Sequence, residues 1–187
     1  ILSRRGTRFN WVGATSPQTR GGRRAHAPKA EKQFAQKINK KENRKAIRSA
    51  IGATLNKDLV AARGHRIPAQ YPFVLDAAFE SLSKTKDVTD ALAKLGFQDE
   101  LSRSLLKKVR AGIGKLRGRK YQRKKGILLV VSESCPVAKA ASNIPGVDVV
   151  LVNAVNAELL APGALPGRVT LFTEKALDVM NDKQLFQ

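Results

Sequence analysis

Seven cations crowd into eleven consecutive positions: Lys115, Arg117, Arg119, Lys120, Arg123, Lys124 and Lys125. The wider stretch from Leu101 to Ser132 holds eleven Lys or Arg and no acid. Like charges at that density repel one another and destabilise an isolated fold unless a polyanion neutralises them. Gly112, Gly114 and Gly118 preclude a stable helix there, so the cations are expected to reach phosphates from an extended backbone. Tyr121 can stack on a base or hydrogen-bond to ribose. A second set lies near the start of the chain, where Arg4, Arg5, Arg8, Arg20, Arg23, Arg24 and Lys29 interleave with Phe9, Trp11 and glycines. Arginine forks grip phosphates bidentately and aromatic rings stack on unpaired bases. Phe9 and Trp11 are poor choices for a merely solvated tail. Arg168, after the turn Leu160-Ala161-Pro162-Gly163-Ala164-Leu165-Pro166-Gly167, is either a surface charge or a further RNA contact.

Other chemistries find little support. Gly112-Ile113-Gly114 has its next glycine at 118, one position too far for a dinucleotide fingerprint, and it precedes a strand instead of following one. No G-x-x-x-x-G-K-[ST] occurs. Cys135, at a strand-to-helix turn, reads as a small turn residue in preference to a reactive thiol. His65 has the basic neighbours Arg63 and Arg66 and reads as a structural or phosphate-contacting loop residue. The acids are expected on exposed helix faces. Two histidines and one cysteine make no metal-site spacing. No catalytic residue, cofactor, metal or small-molecule substrate is expected.

The charge is segregated. The chain carries +20 over 187 residues. Counting Lys, Arg, Asp and Glu gives +12 for residues 1–50, −1 for 51–102, +11 for 103–125 and −2 for 126–187. Segregated basicity points to a nucleic acid. The longest aliphatic run, Ile127 to Val131, is too short to span a bilayer, and no signal peptide is visible, so no membrane association is expected. A single cysteine suits a reducing cytoplasm.

The elements that must position these residues follow from periodicity. Residues 1–41, broken by Gly6, Gly13, Gly21, Gly22, Pro17 and Pro28, form an extended basic arm that is unstructured until bound. Ile47, Ile51, Leu55 and Leu59 recur every four residues, predicting one helix over 42–63 ended by Gly64. A short strand is predicted at 71–76, with helices at 87–95 and 100–109. The basic tongue follows at 110–125. Then come strand 127–131, a helix led by Pro136, strand 147–152, a helix near 154–160, strand 168–172 and a helix at 174–181 capped by Thr173. Strands alternating with helices predict an α/β domain over 42–187, with a parallel sheet of about four strands flanked by helices.

Several segments together resemble the L-four family of large-subunit ribosomal proteins, in its archaeal/eukaryotic form. Pro17 to Lys29 resembles the inner part of that family's long loop, and Gly118-Arg119-Lys120-Tyr121 its basic segment. Leu160 to Arg168 followed by Leu171-Phe172-Thr173-Glu174 resembles its C-terminal signature, and Asp58 to His65 also fits. The short C-terminus looks archaeal. The resemblance implies a structural constituent of the large subunit that binds ribosomal RNA, touches neighbouring ribosomal proteins and sends the arm to the wall of the peptide exit tunnel. It adds His26 to the RNA-contacting residues and brings Arg4 and Arg5 near the nascent peptide. It also implies a further N-terminal segment, contributing to the sheet, beyond the chain's first residue. An assembly factor, a nucleotide-dependent enzyme acting on RNA and a DNA-compacting protein are the competing readings.

Overall fold

The computed structural model describes residues 2–11, 16–18 and 22–186. The chain divides into two units, Ile1–Lys37 and Ile38–Gln187. In the first, β1 (Leu2–Arg5) and β2 (Arg8–Trp11) pair antiparallel across the turn at Gly6 and Thr7, Gly6 taking a positive φ of 63°. The expected unstructured arm thus contains a hairpin, because a glycine that tolerates positive φ sits between two runs able to pair. Residues 22–39 have no regular element.

In the second unit, the predicted long helix is two. α1 (Lys40–Leu55) stops at Asn56, which turns extended. The Asn56 side chain then accepts from the N–H groups of Asp58 and Leu59 and caps α2 (Lys57–Ala62). The break rotates the apolar stripe: Ile47 is buried, whereas Leu55 and Leu59 are exposed and Val60 faces the core instead. β3 is only Val74–Leu75. α3 (Thr85–Leu92) runs through a wide π turn at Ala93–Phe97 into α4 (Gln98–Leu105). The predicted helix at 100–109 therefore ends early. Leu106 is extended, and β4 (Lys107–Val109) pairs antiparallel with β5 (Tyr121–Arg123).

The remaining elements are β6 (Leu128–Val131), α5 (Pro136–Ser142), β7 (Asp148–Leu151), α6 (Ala157–Leu160), β8 (Thr170–Thr173) and α7 (Glu174–Asp182). Thr173 caps α7, its hydroxyl oxygen accepting from the Ala176 N–H. The four-stranded sheet is parallel, in the order β3-β8-β6-β7. Every residue of β6 and β8 is buried. Alternation explains why both faces need apolar residues: Leu129, Val131 and Leu171 pack with α3 and α5, while Leu128, Val130 and Phe172 pack with α1, α6 and α7. The α/β architecture and the four-stranded parallel sheet agree with the sequence reading.

Candidate nucleic-acid interface

The β4–β5 hairpin enters the core at the N-terminal end of β6, and its root is built from buried charge. Glu100 on α4 is fully buried. It accepts from Arg103 Nε at 2.8 Å and Nη2 at 2.5 Å, from the Arg66 N–H at 2.9 Å, and meets His65 Nδ1 at 2.6 Å. Burial pushes the Glu100 carboxyl up. The hydrogen bonds from Arg103, His65 and Arg66 outweigh it and bring the carboxyl from 4.5 to about 2. Arg103 also donates to the Lys125 carbonyl at 2.7 Å, at the hairpin's return. Alongside, Gly126 donates to the Gly146 carbonyl at 2.8 Å. A Cβ on Gly146 would lie 2.6 Å from Ser104 Cβ and 3.0 Å from the Lys124 carbonyl oxygen. The backbones meet so closely that only glycine fits.

Beyond the root the hairpin stands free of the core. The register sets Lys107 opposite Arg123, Lys108 opposite Gln122 and Val109 opposite Tyr121, all exposed. Arg110 donates its N–H to the Lys120 carbonyl and closes the ladder. The tip is a 3-10 turn at Ile113–Lys115 between Gly112 and Gly118, whose φ values are 77° and 75°. Lys115, Arg117, Arg119, Lys120, Arg123 and Lys124 are all surface residues, Lys115 included. Lys107 Nζ lies 4.5 Å from the Tyr121 ring centroid and Lys120 Nζ 5.5 Å from it, so the ring serves two cations. Lys125 is partly committed, its ammonium 2.8 Å from the Asp148 carboxylate. A like-charged pair directly across a two-stranded ladder is destabilising on its own. Lys107, Lys108 and Arg110 belong to the same surface. The sequence reading missed Lys107 and Lys108 by assigning 100–109 to a helix, and it left Arg110 out of the RNA-contacting residues although it fell within the tongue.

In the N-terminal unit, Arg4, Arg8 and Phe9 are exposed on the first hairpin, Phe9 at 58%. Arg4 Nε donates to the Gly6 carbonyl at 3.0 Å. The register places Arg5 opposite Arg8. Arg23, Arg24, His26 and Lys29 are exposed along the irregular stretch and line an open groove with Lys32 and Phe34. Arg20 and the side chains of Arg5 and Trp11 lie outside the described residues.

Arg168 does not belong to the exposed set. Its side chain is fully buried, donating to the carbonyls of Gly126 and Leu159 at 2.9 Å each and to Asp148 Oδ2 at 2.5 Å. A guanidinium with no solvent exposure cannot reach a phosphate outside the fold, and its role is to tie the start of β8 to β6 and β7. Burial opposes ionisation of Asp148, yet Lys125 and Arg168 hold its carboxyl below the ordinary value. The Pro/Gly turn, exposed from Gly163 to Pro166, is also tied to the rest of the fold. Arg63 after α2 donates to the carbonyls of Pro162, at 2.6 Å, and Leu165. A Cβ on Gly167 would lie 2.7 Å from the Leu59 carbonyl oxygen. The segments Asp58–His65 and Leu160–Arg168, remote in sequence, form one seam.

His65 resolves as structural through Glu100. The expectation that all acids lie on exposed helix faces fails at Glu100 and at Glu80, which accepts from Thr173 Oγ1 at 2.6 Å and from the Ser132 N–H and hydroxyl at 3.0 and 2.9 Å. Burial opposes ionisation of Glu80, but these bonds and Lys175 win and lower it. Burial pushes the Cys135 thiol up, which argues against an activated thiolate. Among the described residues, no group of three or more His, Cys, Asp or Glu could hold a metal ion, and no helix is long and apolar enough to cross a membrane.

Fold and site define a class: an α/β domain presenting an acid-free cationic hairpin, rooted through buried charge and suited to a polyanion. More particularly, the chain belongs to the ribosomal protein L4/L1 family, which it matches over residues 3–183. The large ribosomal subunit protein uL4 of Methanococcoides burtonii is 52% identical over 168 residues, covering 89% of this chain and 66% of that protein. The protein of the same name from Archaeoglobus fulgidus is 48% identical, covering 89% of this chain and 66% of the relative. That from Nanoarchaeum equitans is 49% identical over all 187 residues, covering 69% of the relative. The chain thus spans about two thirds of the length of these relatives.

Proposed function

We propose that this chain is a structural, non-enzymatic constituent of the large ribosomal subunit in the cytoplasm. In this reading it binds large-subunit ribosomal RNA through the hairpin at 107–125 and the arm at 1–41, and touches neighbouring ribosomal proteins. The arm runs toward the peptide exit tunnel, with Arg4 and Arg5 near the nascent chain. Family membership and the relatives' printed names support the ribosomal setting. The RNA contact rests on one observation: the hairpin pairs Lys107 with Arg123, carries no acid and projects from a fixed root. That arrangement has a physical reason only if phosphates share the charge.

The test is quantitative mass spectrometry across a sucrose gradient of lysate after a high-salt wash. One copy per large subunit, retained in polysomes, is the expected result. Presence only in precursor particles would make the chain an assembly factor, and presence only in light fractions would remove the ribosomal role. A second test replaces Arg119, Lys120 and Arg123 together with Ala. Each phosphate that is no longer neutralised lowers the slope of log affinity against log salt by roughly 0.7–0.9. The triple variant is therefore expected to flatten the salt dependence for large-subunit RNA by about 2 units while its circular dichroism and melting stay unchanged. An unchanged slope, or a collapsed melt, would overturn the role given to the hairpin.

A further inference from the structure

We propose that the tip of the β4–β5 hairpin is an apolar wedge for unpaired nucleobases, with its flanking cations clamping the adjoining phosphates. This rests on the reading that the hairpin binds RNA, and it names which RNA. From Gly112 to Lys120 the chain uses three kinds of residue only: glycine, cations, and the aliphatics Ile113 and Leu116. A solvated turn is ordinarily built from Asn, Asp, Ser or Thr with glycine, and none occurs here. Ile113 is 60% exposed and Leu116 82%.

Their placement is not incidental to the turn. In a 3-10 turn residues i and i+3 eclipse one another. Leu116 N–H donates to the Ile113 carbonyl at 3.1 Å, so the two aliphatic residues fall on one side and form a single knob. Gly112 and Gly118, both at positive φ, bracket the turn, and Arg117 and Arg119 donate their N–H groups to the Gly114 carbonyl at 3.2 and 3.1 Å. The knob is thus held by backbone hydrogen bonds at the outermost point of the hairpin, with Lys115 and Arg117 beside it.

The occupant must accept an apolar knob and four cations, Lys115, Arg117, Arg119 and Lys120, within nine residues. A protein pocket for two aliphatic side chains lacks that density of negative charge. A nucleic acid supplies both, since the flat face of a base lies within a few ångströms of its phosphate. A continuous RNA duplex keeps those faces stacked away, whereas loops, bulges and junctions expose them. Aliphatic side chains inserted beside bases are an established way for proteins to grip deformed nucleic acid.

The experiment compares the full chain's affinity for two RNA stem-loops of equal length, one with an uninterrupted stem and one carrying a short bulge, over a range of salt. The wild type is expected to prefer the bulged RNA by about tenfold, which corresponds to partial burial of two aliphatic side chains. Changing Ile113→Ser and Leu116→Ser together should abolish the preference and leave the salt slope intact. Arg117→Ala should do the reverse, lowering the slope while keeping the preference. Equal wild-type affinity for both RNAs with a steep salt dependence overturns the wedge and leaves the RNA-binding reading standing. Absence of salt-dependent binding to either RNA overturns both. A double variant that keeps the preference, or that binds RNA normally but fails to join reconstituted subunits, also overturns the wedge, the latter by placing the tip on a protein.

Discussion

Glu100 is the residue on which the hairpin's attachment turns. It joins four groups from three parts of the chain: His65, the Arg66 N–H, Arg103, and through Arg103 the Lys125 carbonyl. Removing its charge leaves Arg103 with little exposure and no anion. Breaking a pair of this kind costs ~3–5 kcal/mol, so Glu100→Gln is expected to lower the urea unfolding free energy by about that amount. The pH dependence has a definite sign. The folded carboxyl titrates at about 2 against an ordinary 4.5, so its contribution is complete above 4.5 and is lost as pH falls toward 2. Glu80 and Asp148, also lowered, act in the same direction. Unfolding free energy measured across that acid window should fall less steeply in Glu100→Gln than in the wild type. An identical slope would mean that Glu100 is ionised no more readily in the fold than in the unfolded chain. None of this was legible in the sequence, where Glu100 reads as one more helical acid. Its His65 partner lies 35 residues away, and burial of a charge is a tertiary fact with no local periodicity to announce it. Arg168 was misjudged for the same reason, since an arginine beside a Pro/Gly turn looks exposed until Asp148 is brought up to it.

At the scale of elements, the strands of the four-stranded sheet were the legible part, whereas those of the two hairpins were not. Leu128–Val131 stands out because burial on both sheet faces demands an unbroken apolar run, and Thr170–Thr173 because its threonines, Leu171 and Phe172 favour a strand. The helices were legible in place, but six were expected where seven stand among the described residues, and their extents differ. The four-residue repeat of Ile47, Ile51, Leu55 and Leu59 continued through Asn56, and the capping chemistry of that asparagine outweighed the pattern. Past Leu105 the sequence still suited a helix, but pairing with Tyr121–Arg123 captured Lys107–Val109 as a strand. Local pattern cannot weigh partners twelve to sixteen residues ahead. That hairpin depends on how tightly its root closes. In Gly146→Ala the new methyl would press on Ser104 Cβ and the Lys124 carbonyl, at a φ of 82° that side chains rarely adopt. Overpacking of this kind costs ~1–3 kcal/mol, and a melting temperature lowered accordingly is the expected result. Gly114→Ala is the control, since the nearest atom its Cβ would meet is Arg110 Cδ at 3.8 Å, an ordinary contact. Equal melting of the two variants would show that the root is looser than its geometry indicates.

For the whole molecule, the division into units separates parts with different sources of stability. Ile38–Gln187 holds both apolar clusters. Ile1–Lys37 has nine cations, one acid and, among its described residues, a single two-stranded hairpin. A two-stranded hairpin alone is marginally stable in water, and Phe9, 58% exposed, adds little burial. In the proposed reading, the first unit is stabilised by the RNA it binds. Trypsin, which cuts after Lys and Arg, reads this directly. In the free protein, cleavage within residues 1–29 is expected to be fast, leaving a resistant fragment that begins near α1. In purified large subunits the same bonds should be protected, because RNA seated on Arg4, Arg8, Arg23 and Arg24 would order the backbone that the protease must unfold. Mass spectrometry of timed digests gives the cleavage order in both states. Equal cleavage of residues 1–29 in the two states would sink the buried arm while leaving the hairpin at 107–125 untouched. Slow cleavage in the free protein would show instead that the first unit is folded on its own, with a stability that its small hairpin does not explain.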